Sequence, residues 1–494
     1  MTDMTGMSSL LIVLAPLWPL LLALVRPDRI GQWLLPLAVI PALWVALIPE
    51  PGTTVDLPWL LLGSRWGVDD TSQVFLLITA WLWFIAGLYS VSGTPAGAGL
   101  WRFRIFFMLT LSGNILLILA QDMAAFFLGF AAMGLASYGM IMQQRSVTVT
   151  RAGRVYLIWT VLGEVILFTG IVMVLGTTGS HYFDSVPGAE LSLVAVSMVT
   201  LGLGIKLALP GLHVWLPIAH GAAPPAVSAL LSGVMVKAGV FGLLRFLPAG
   251  TESVVQVAEW LVPLGLVGAF YGVAIGLLQT APKVVLAYST MSQLGLLTML
   301  TGIILQQPQA EPALLFALLL YVAHHAWVKG ALFIGVGVFK KTLSIWVILL
   351  LGLLALVLAG LPYTSGALAK GSLKAALPGA YSWLEIWLLL STFATTLLMG
   401  RFLWTLFAYR AHHAATQRIS LRLPEWLAWG LLLETVLFWP LLFGAQPVKW
   451  VEALPVLLGA VIALLMAWRV RVPAGDLPVL AVHGFFRLRK RVLG

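Results

Sequence analysis

"HVWLPIAHGAAPPAVSALLSGVMVKAGVFGLLRF", residues His213 to Phe246, sets two histidines and a cluster of prolines ahead of a long apolar run with one lysine, Lys237, near its middle. A run of that length and apolarity reads as a membrane span, and the rest of the chain agrees. Of its 494 residues 61% are apolar and only 9% charged, with a mean hydropathy of +1.01. A soluble domain carries about 25% charged residues, so this composition belongs to a polytopic membrane protein.

A spanning helix needs about 20 mostly apolar residues. Fifteen such stretches occur, at 8–25, 31–48, 72–92, 103–120, 123–142, 154–177, 191–210, 226–247, 257–278, 283–305, 312–338, 344–375, 381–409, 426–444 and 453–469. Their unbroken apolar character excludes a β-barrel, whose strands alternate. The fold class expected is therefore all-α and polytopic, with about 14–15 transmembrane helices.

The loops predict an orientation. With the N-terminus outside, one set carries Arg26, Arg29, Arg102, Arg104, Arg145, Arg151, Arg154, Lys283, Lys340, Lys341, Arg410, Arg418 and Arg422, and the tail adds Arg469, Arg471, Arg487, Arg489, Lys490 and Arg491. The opposite set carries only Arg65, Arg245 and Lys449. The positive-inside rule puts the basic loops and the C-terminus in the cytoplasm, with the chain in the cell (inner) membrane. The net charge of +10 reports this topology. It gives no case for nucleic acid, and the tail "FFRLRKRVLG" is expected on anionic lipid or on a partner. Without a basic n-region the N-terminus does not read as a cleaved signal peptide. With no cysteine, the chain has no disulfide, thiolate metal site or cysteine-ligated iron–sulfur cluster.

Ionisable groups that cannot reach a headgroup are costly and therefore functional candidates. Lys206 lies in "LGLGIKLALPG", Lys237 in "SGVMVKAGVF", His324, His325 and Lys329 in "YVAHHAWVKGALF", and Lys370 and Lys374 in "YTSGALAKGSLKAAL". Glu164, in "WTVLGEVILF", is the acid nearest a span centre, whereas Glu385 and Glu434 read as nearer a helix end or a hydrated face. Lys374 can equally snorkel to an interface. Buried lysine and histidine can load and unload protons. Tyr321, His325 and Lys329 share a helical stripe, while His213 and His220 lie among the prolines as supporting candidates. A haem is the rival reading for the histidines, but no spacing singles out a ligand pair, and no carboxylate or cysteine set supports a metal.

Two of the lysines sit beside breaks, Lys206 before Pro210 and Lys370 after Pro362. Irregular backbone at membrane depth belongs in buried or hydrated places, and paired broken helices point to an inverted-repeat transporter.

The stretch Leu201–Phe246, "VLAYSTMSQLG" at 285–295, "HHAWVKGALF" from His324 and "LAGLPYTSGALAK" ending at Lys370 together resemble the antiporter-like proton-channel subunits. That family serves respiratory complex I, Mrp-type cation/proton antiporters and energy-converting hydrogenases. The resemblance runs over about residues 60–410. It implies two inverted repeats of five helices, each with a broken helix, and a division into 1–102 (helices 1–3 and an external loop), 103–247 (helices 4–8), 248–410 (helices 9–13) and 411–494 (C-terminal helices and tail). It further implies a proton relay through Lys206, Lys237, His325, Lys329 and Lys370, with no cofactor in this chain. The partners implied are other membrane subunits and, in redox-driven relatives, soluble redox subunits.

In one respect the sequence departs from that family. Where the family carries a glutamate ahead of a methionine–glycine pair, "GFAAMGLASY" has Ala131, and Glu164 stands in the next helix. The expectation is that Glu164 pairs with Lys206 instead. The loop at 338–350 is also shorter than in many relatives, and the tail is too short for a long lateral helix. No motif for catalysis is present, so the chain reads as a coupling subunit of a translocase, moving protons in a redox-driven or cation/proton antiporter complex. The other readings are a secondary ion or bicarbonate carrier coupled to protons, and a degenerate structural scaffold.

Overall fold

A computed structural model gives the fold, describing residues 2–25, 30–93, 98–144, 146–413, 419–443 and 450–469. The basic residues Arg26, Arg29, Arg145 and Arg418, Lys449 and the tail from 470 onward lie outside the described residues. In chain order the helices are α1 (Thr2–Ala23), α2 (Leu34–Leu37), α3 (Ile40–Leu47), α4 (Asp70–Gly93), α5 (Ala98–Leu119), α6 (Met123–Ile141) and α7 (Val147–Thr178). Then come α8 (Leu193–Lys206), α9 (Trp215–Ala222), α10 (Pro225–Gly233), α11 (Ala238–Phe246), α12 (Glu252–Leu277) and α13 (Pro282–Gln306). The series closes with α14 (Glu311–Thr342), α15 (Ile345–Ala359), α16 (Ser365–Ala376), α17 (Leu384–His412), α18 (Leu423–Phe438) and α19 (Trp450–Arg469).

Among the described residues, eleven helices are long and apolar enough to cross a membrane, and four shorter apolar segments are Gly31–Leu47, Leu193–Lys206, Ile345–Ala359 and Glu452–Met466. Each of the fifteen stretches read from sequence overlaps one of these. The apolar character that marks a span also decides which helices are central. Those of α10–α11, α13 and α14 are almost wholly buried, whereas α1, α7 and α18 leave much of their surface outward. The contact between α12 and α13 is close because Gly265, Gly272 and Gly295 let the backbones approach, a packing device suited to lipid.

Two broken helices appear where proline and glycine interrupt the apolar runs. The first runs α8, an irregular stretch, then α9, and contains Pro210. Ala208 there takes a left-handed φ of 53°, which costs a residue with a Cβ about 1 kcal/mol or more. The second runs α15, a turn holding Pro362, then α16. Gly360 ends α15 at φ 103°, a conformation open to glycine, and Tyr363 follows at φ 64°.

A third interruption has no proline at its centre. Between α10 and α11 the residues Met235–Lys237 form a 3₁₀ turn, so Lys237 stands at a kink where the sequence predicts an unbroken helix from 226 to 247. Short 3₁₀ pieces within helices often mark functional hinges.

Among the described residues the one sheet is a hairpin missed in sequence, β1 (Thr54–Leu57) and β2 (Ser64–Gly67), paired antiparallel from Thr54↔Gly67 to Leu57↔Ser64. It is fastened to the start of α6 by buried Asp122. That carboxylate accepts from Ser64 Oγ at 2.6 Å, the Arg65 amide at 3.0 Å and the Ala125 amide at 2.7 Å. At the other end, α18 leans on the bundle through Trp429, whose indole donates to Ala331 O at 3.0 Å, and through an ion pair between Lys341 and buried Glu425.

Candidate functional site: a seam of buried lysines

Interrupted helices expose carbonyls that no amide can reach, and these ends carry partial negative charge. The chain aims lysines at them. Lys206 is the last residue of α8, buried at the break, and the Trp215 indole from α9 donates to the neighbouring Ile205 O at 2.8 Å. Lys237, buried within the 3₁₀ turn, donates to Ser232 O in the last turn of α10. Lys370, on α16, reaches back across the second break to donate to Ala359 O, the last residue of α15, at 2.9 Å, and to Thr392 Oγ1 at 2.9 Å. Lys329, on α14, donates instead to Leu286 O of α13 at 2.9 Å. Among the described residues, none of Lys206, Lys237, Lys329 and Lys370 forms an ion pair. Lys237, Lys329 and Lys370 are held by carbonyl or hydroxyl dipoles, which leaves each of these three groups free to give up a proton without stranding a partner anion.

Between these lysines run neutral polar side chains that the sequence reading passed over. Ser232 Oγ lies 2.7 Å from Thr290 Oγ1, which donates to Leu286 O at 3.0 Å, the same carbonyl that receives Lys329. Lys237 and Lys329 are thus joined by two hydroxyls and two carbonyls. Two turns earlier on the same stripe of α14, the Tyr321 hydroxyl donates to Gln293 Oε1 at 2.7 Å, and Gln293 Nε2 donates to Thr395 Oγ1 at 3.2 Å, one turn from Thr392 on α17. His324 Nδ1 is 2.8 Å from Ser365 Oγ at the start of α16. The signal that could have found Thr290 and Gln293 is their spacing, i and i+3 within "VLAYSTMSQLG", which puts both on one face of a fully buried helix.

The other expected residues are less connected. His325 is fully buried beside Lys329's turn, with no hydrogen-bond partner at either ring nitrogen. His220 stacks on Phe333, ring centres 4.6 Å apart. His213 packs edge-on against Tyr271 at 5.2 Å and lies 6.2 Å from the Tyr288 ring. Among the described residues, no group of three or more histidine and carboxylate side chains is arranged to hold a metal ion.

At the first break the expected pair is not in direct contact. Glu164 and Lys206 are both buried on the adjoining helices α7 and α8, and their charges lie near enough to act on each other. No ion pair joins them, however, and neither Lys206 Nζ nor Glu164 Oε1 has a hydrogen-bond partner. Lys206 Nζ lies instead over the rings of Phe130 at 5.6 Å and Tyr156 at 5.9 Å, within reach of a cation–π attraction. Glu164 has reached toward α6, where its Oε1 fills the space a side chain at Gly134 would need. Gly134 is one turn on from Ala131, so the carboxylate returns to the helix that lacks its own. Lys374, placed between snorkelling and function by sequence, pairs with Glu385 at 3.0 Å, and Glu434 is exposed.

The profile of the family described as NADH:quinone oxidoreductase/Mrp antiporter, transmembrane, matches residues 120–399, more than half of the chain. Hydrogenase-4 component B of Escherichia coli is 30% identical over 335 residues, covering 65% of this chain and 49% of that protein. A putative antiporter subunit, mnhA2, of Staphylococcus saprophyticus is 28% identical over 356 residues, covering 64% of this chain and 44% of that protein. The chain thus spans about half the length of these relatives. Among solved structures, the Mrp complex from Dietzia sp. DQ12-45-1b has a chain similar in fold, with a TM-score of 0.78 at 22% identity over 99% of this chain and 59% of that one. By the extent of the family match and by its fold, this multi-span membrane protein belongs to the NADH:quinone oxidoreductase/Mrp antiporter transmembrane family.

Proposed function

We propose that this chain is a proton-translocating subunit of a larger membrane complex, passing protons along a midplane seam from Glu164 and Lys206 through Lys237, His325 and Lys329 to Lys370. The observation that carries this reading is the set of hydrogen bonds linking the lysines: Lys237 to Lys329 through Ser232, Thr290 and Leu286, and α14 to Lys370's neighbourhood through Tyr321, Gln293 and Thr395. Idle charges at this depth would be costly. Four buried lysines, two of them held by carbonyls at helix interruptions and a third by a carbonyl of α13, are a set that a mere scaffold has no reason to keep.

Protonation is the only chemistry the seam offers. Lysine amines and imidazoles accept and release protons, hydroxyls donate and accept at once, and among the described residues no metal-holding cluster stands beside them. One break falls within each of the expected halves 103–247 and 248–410, a pattern that supports the inverted-repeat reading. Energy then comes from elsewhere in the assembly, from a partner's redox reaction or another ion gradient. Basic loops facing the cytoplasm remain the orientation that the charge pattern favours.

The test is proton flux in liposomes holding the purified native assembly, with Lys206→Ala and Glu164→Ala beside the wild type. Loss of flux in both variants is the expected result. Intact pumping in Lys206→Ala removes the first half of the relay.

A further inference from the structure

Away from the seam, α15, α17 and α19 enclose an apolar pocket of about 250 Å3. Small residues shape it. Gly400 and Gly459 let α17 and α19 close on each other, since a Cβ at either would collide with Ala463 or Thr396 across the contact. Gly352 leaves the α15 wall open, where a Cβ would meet nothing nearer than Leu403 Cδ1 at 3.7 Å. The polar side chains in the lining are Thr396, whose hydroxyl already donates to Thr392 O at 2.9 Å, and Trp404, half-exposed at the rim. Water needs two or more polar partners and finds no hold here, whereas a dry apolar cavity of about 150 Å3 binds benzene, so this larger one suits hydrocarbon.

Its length and its charged end narrow the ligand. The pocket follows α17 from Thr396 to Phe407, a rise of about 16 Å at 1.5 Å per residue, which matches one leaflet's half of a hydrocarbon core about 30 Å thick. Arg410 continues the stripe of Leu403 and Phe407 into the last turn of α17. Lys340, in the last turn of α14, lies over the neighbouring Tyr409 ring at 5.2 Å. Two cations thus stand where the apolar groove ends, and neither forms an ion pair among the described residues.

We propose that this pocket holds one acyl chain of an anionic phospholipid from the surrounding bilayer, with the lipid phosphate on Arg410 and Lys340. The site goes beyond the proton path and needs only that the chain spans a membrane. Its deep end reaches Ala355, Leu356 and Thr396, each about one turn from Ala359 or Thr392, whose oxygens hold Lys370. The acyl chain props α15 against α17 just behind the second break.

The probes are phosphatidylglycerol and phosphatidylcholine carrying the same mid-chain diazirine, each at low fraction in phosphatidylcholine vesicles that hold the intact assembly. After irradiation, lipid adducts on this chain are mapped by peptide mass spectrometry. Adducts are expected on Leu403, Trp404 and Leu464 of the pocket wall, about fivefold or more from phosphatidylglycerol than from phosphatidylcholine, the preference that a cation near the surface gives. Gly352→Phe and Ala460→Phe fill the pocket from α15 and from α19, and are expected to abolish these adducts while those at Val165 and Phe168, on the outward face of α7, persist. The double variant Arg410→Gln/Lys340→Gln should equalise the two lipids, and it reports on the site even where a filled pocket prevents assembly. Wall adducts that the filling variants leave unchanged mean annular lipid only, an unlabelled wall means that a protein segment lies over the pocket, and equal labelling by both lipids in the wild type removes the charge anchor; each overturns the proposal.

Discussion

Thr290 is the narrowest link between Lys237 and Lys329. Its hydroxyl lies 2.7 Å from Ser232 Oγ and 3.0 Å from Leu286 O, in a helix face with no exposure. A threonine has one hydroxyl proton, and here it goes to Leu286 O, so Ser232 must donate to Thr290. Thr290→Val keeps the branched shape and deletes both contacts. Each buried hydrogen bond contributes a net ~0.5–1.5 kcal/mol, and stranding the Ser232 donor adds to the loss, so the junction costs about 1–3 kcal/mol to remove. If that free energy is felt in full by the proton passing between the lysines, flux falls about 5- to 150-fold, at ~1.4 kcal/mol per factor of ten. The assay is quenching of an acridine dye in vesicles under a potassium diffusion potential, normalised to assembled protein. Thr290→Ser, which keeps the hydroxyl, is expected to recover most of the flux. A Thr290→Val assembly with wild-type flux, or a Thr290→Ser assembly as slow as Thr290→Val, refutes a hydroxyl link at this point.

Gly134→Ala would drive a methyl into Glu164 Oε1. The carboxylate is the far end of a flexible side chain and is pushed aside rather than compressed, so flux should fall as in Glu164→Ala with little change in melting temperature; unchanged flux would detach Glu164 from the relay. Gln293→Leu strands the Tyr321 hydroxyl and frees Thr395, so the melting temperature should drop by a few degrees for a loss of about 1–3 kcal/mol, with slower flux. A variant that melts and conducts like the wild type contradicts that role. Asp69, just ahead of α4, is a structural case outside the spans. Burial opposes its ionisation, but the paired Arg245 guanidinium and the Ser72 amide, which donates at 2.9 Å, hold its carboxyl below the ordinary carboxylate range. A lowered folded value stabilises above the unfolded carboxylate pKa of about 4, and that stability is lost as pH falls through the lowered value. Asp69→Asn should therefore melt lower than the wild type at pH 5–7, with the gap closing below about pH 4; a gap that widens in acid contradicts the assignment.

Much of the fold is legible because a bilayer simplifies the code. Length and apolarity alone mark each span, and the proline and glycine beside Lys206 and Lys370 announce the breaks. The kink at Lys237 is less plain because no proline marks it, and its local signal is the Ser232–Gly233 pair at the end of α10, easily passed over in an apolar run. The hairpin Thr54–Leu57/Ser64–Gly67 is hidden because its strands are only four residues each, too short for an alternating pattern to stand out in the segment between the stretches 31–48 and 72–92, which reads as an external loop. In the candidate site the charged residues stand out against an apolar background, whereas Ser232, Thr290 and Thr395 do not. A hydroxyl in a spanning helix can bond back to its own i−4 carbonyl and look satisfied from sequence. Only the crossing of α10, α13, α14 and α17 turns those hydroxyls into links. The Glu164–Lys206 pairing shows the reach of the same reasoning: the adjoining helices are legible, but the side-chain geometry, with the carboxylate turned toward Gly134 and the ammonium toward two aromatic rings, is not.

The central claim is that protons pass through the buried lysines at the middle of the chain, and Lys329 is the position that isolates it. It is fully buried, its Nζ bonds to Leu286 O, and it lies between the hydroxyl link and the path to Lys370. The decisive measurement is proton flux through the intact assembly in liposomes, driven by an imposed potential, for the wild type and for Lys329→Met. A shape-conserving substitution that cannot hold a proton should abolish flux while leaving assembly and melting temperature close to wild type. Flux that persists in Lys329→Met at wild-type rate would contradict a proton path along this seam.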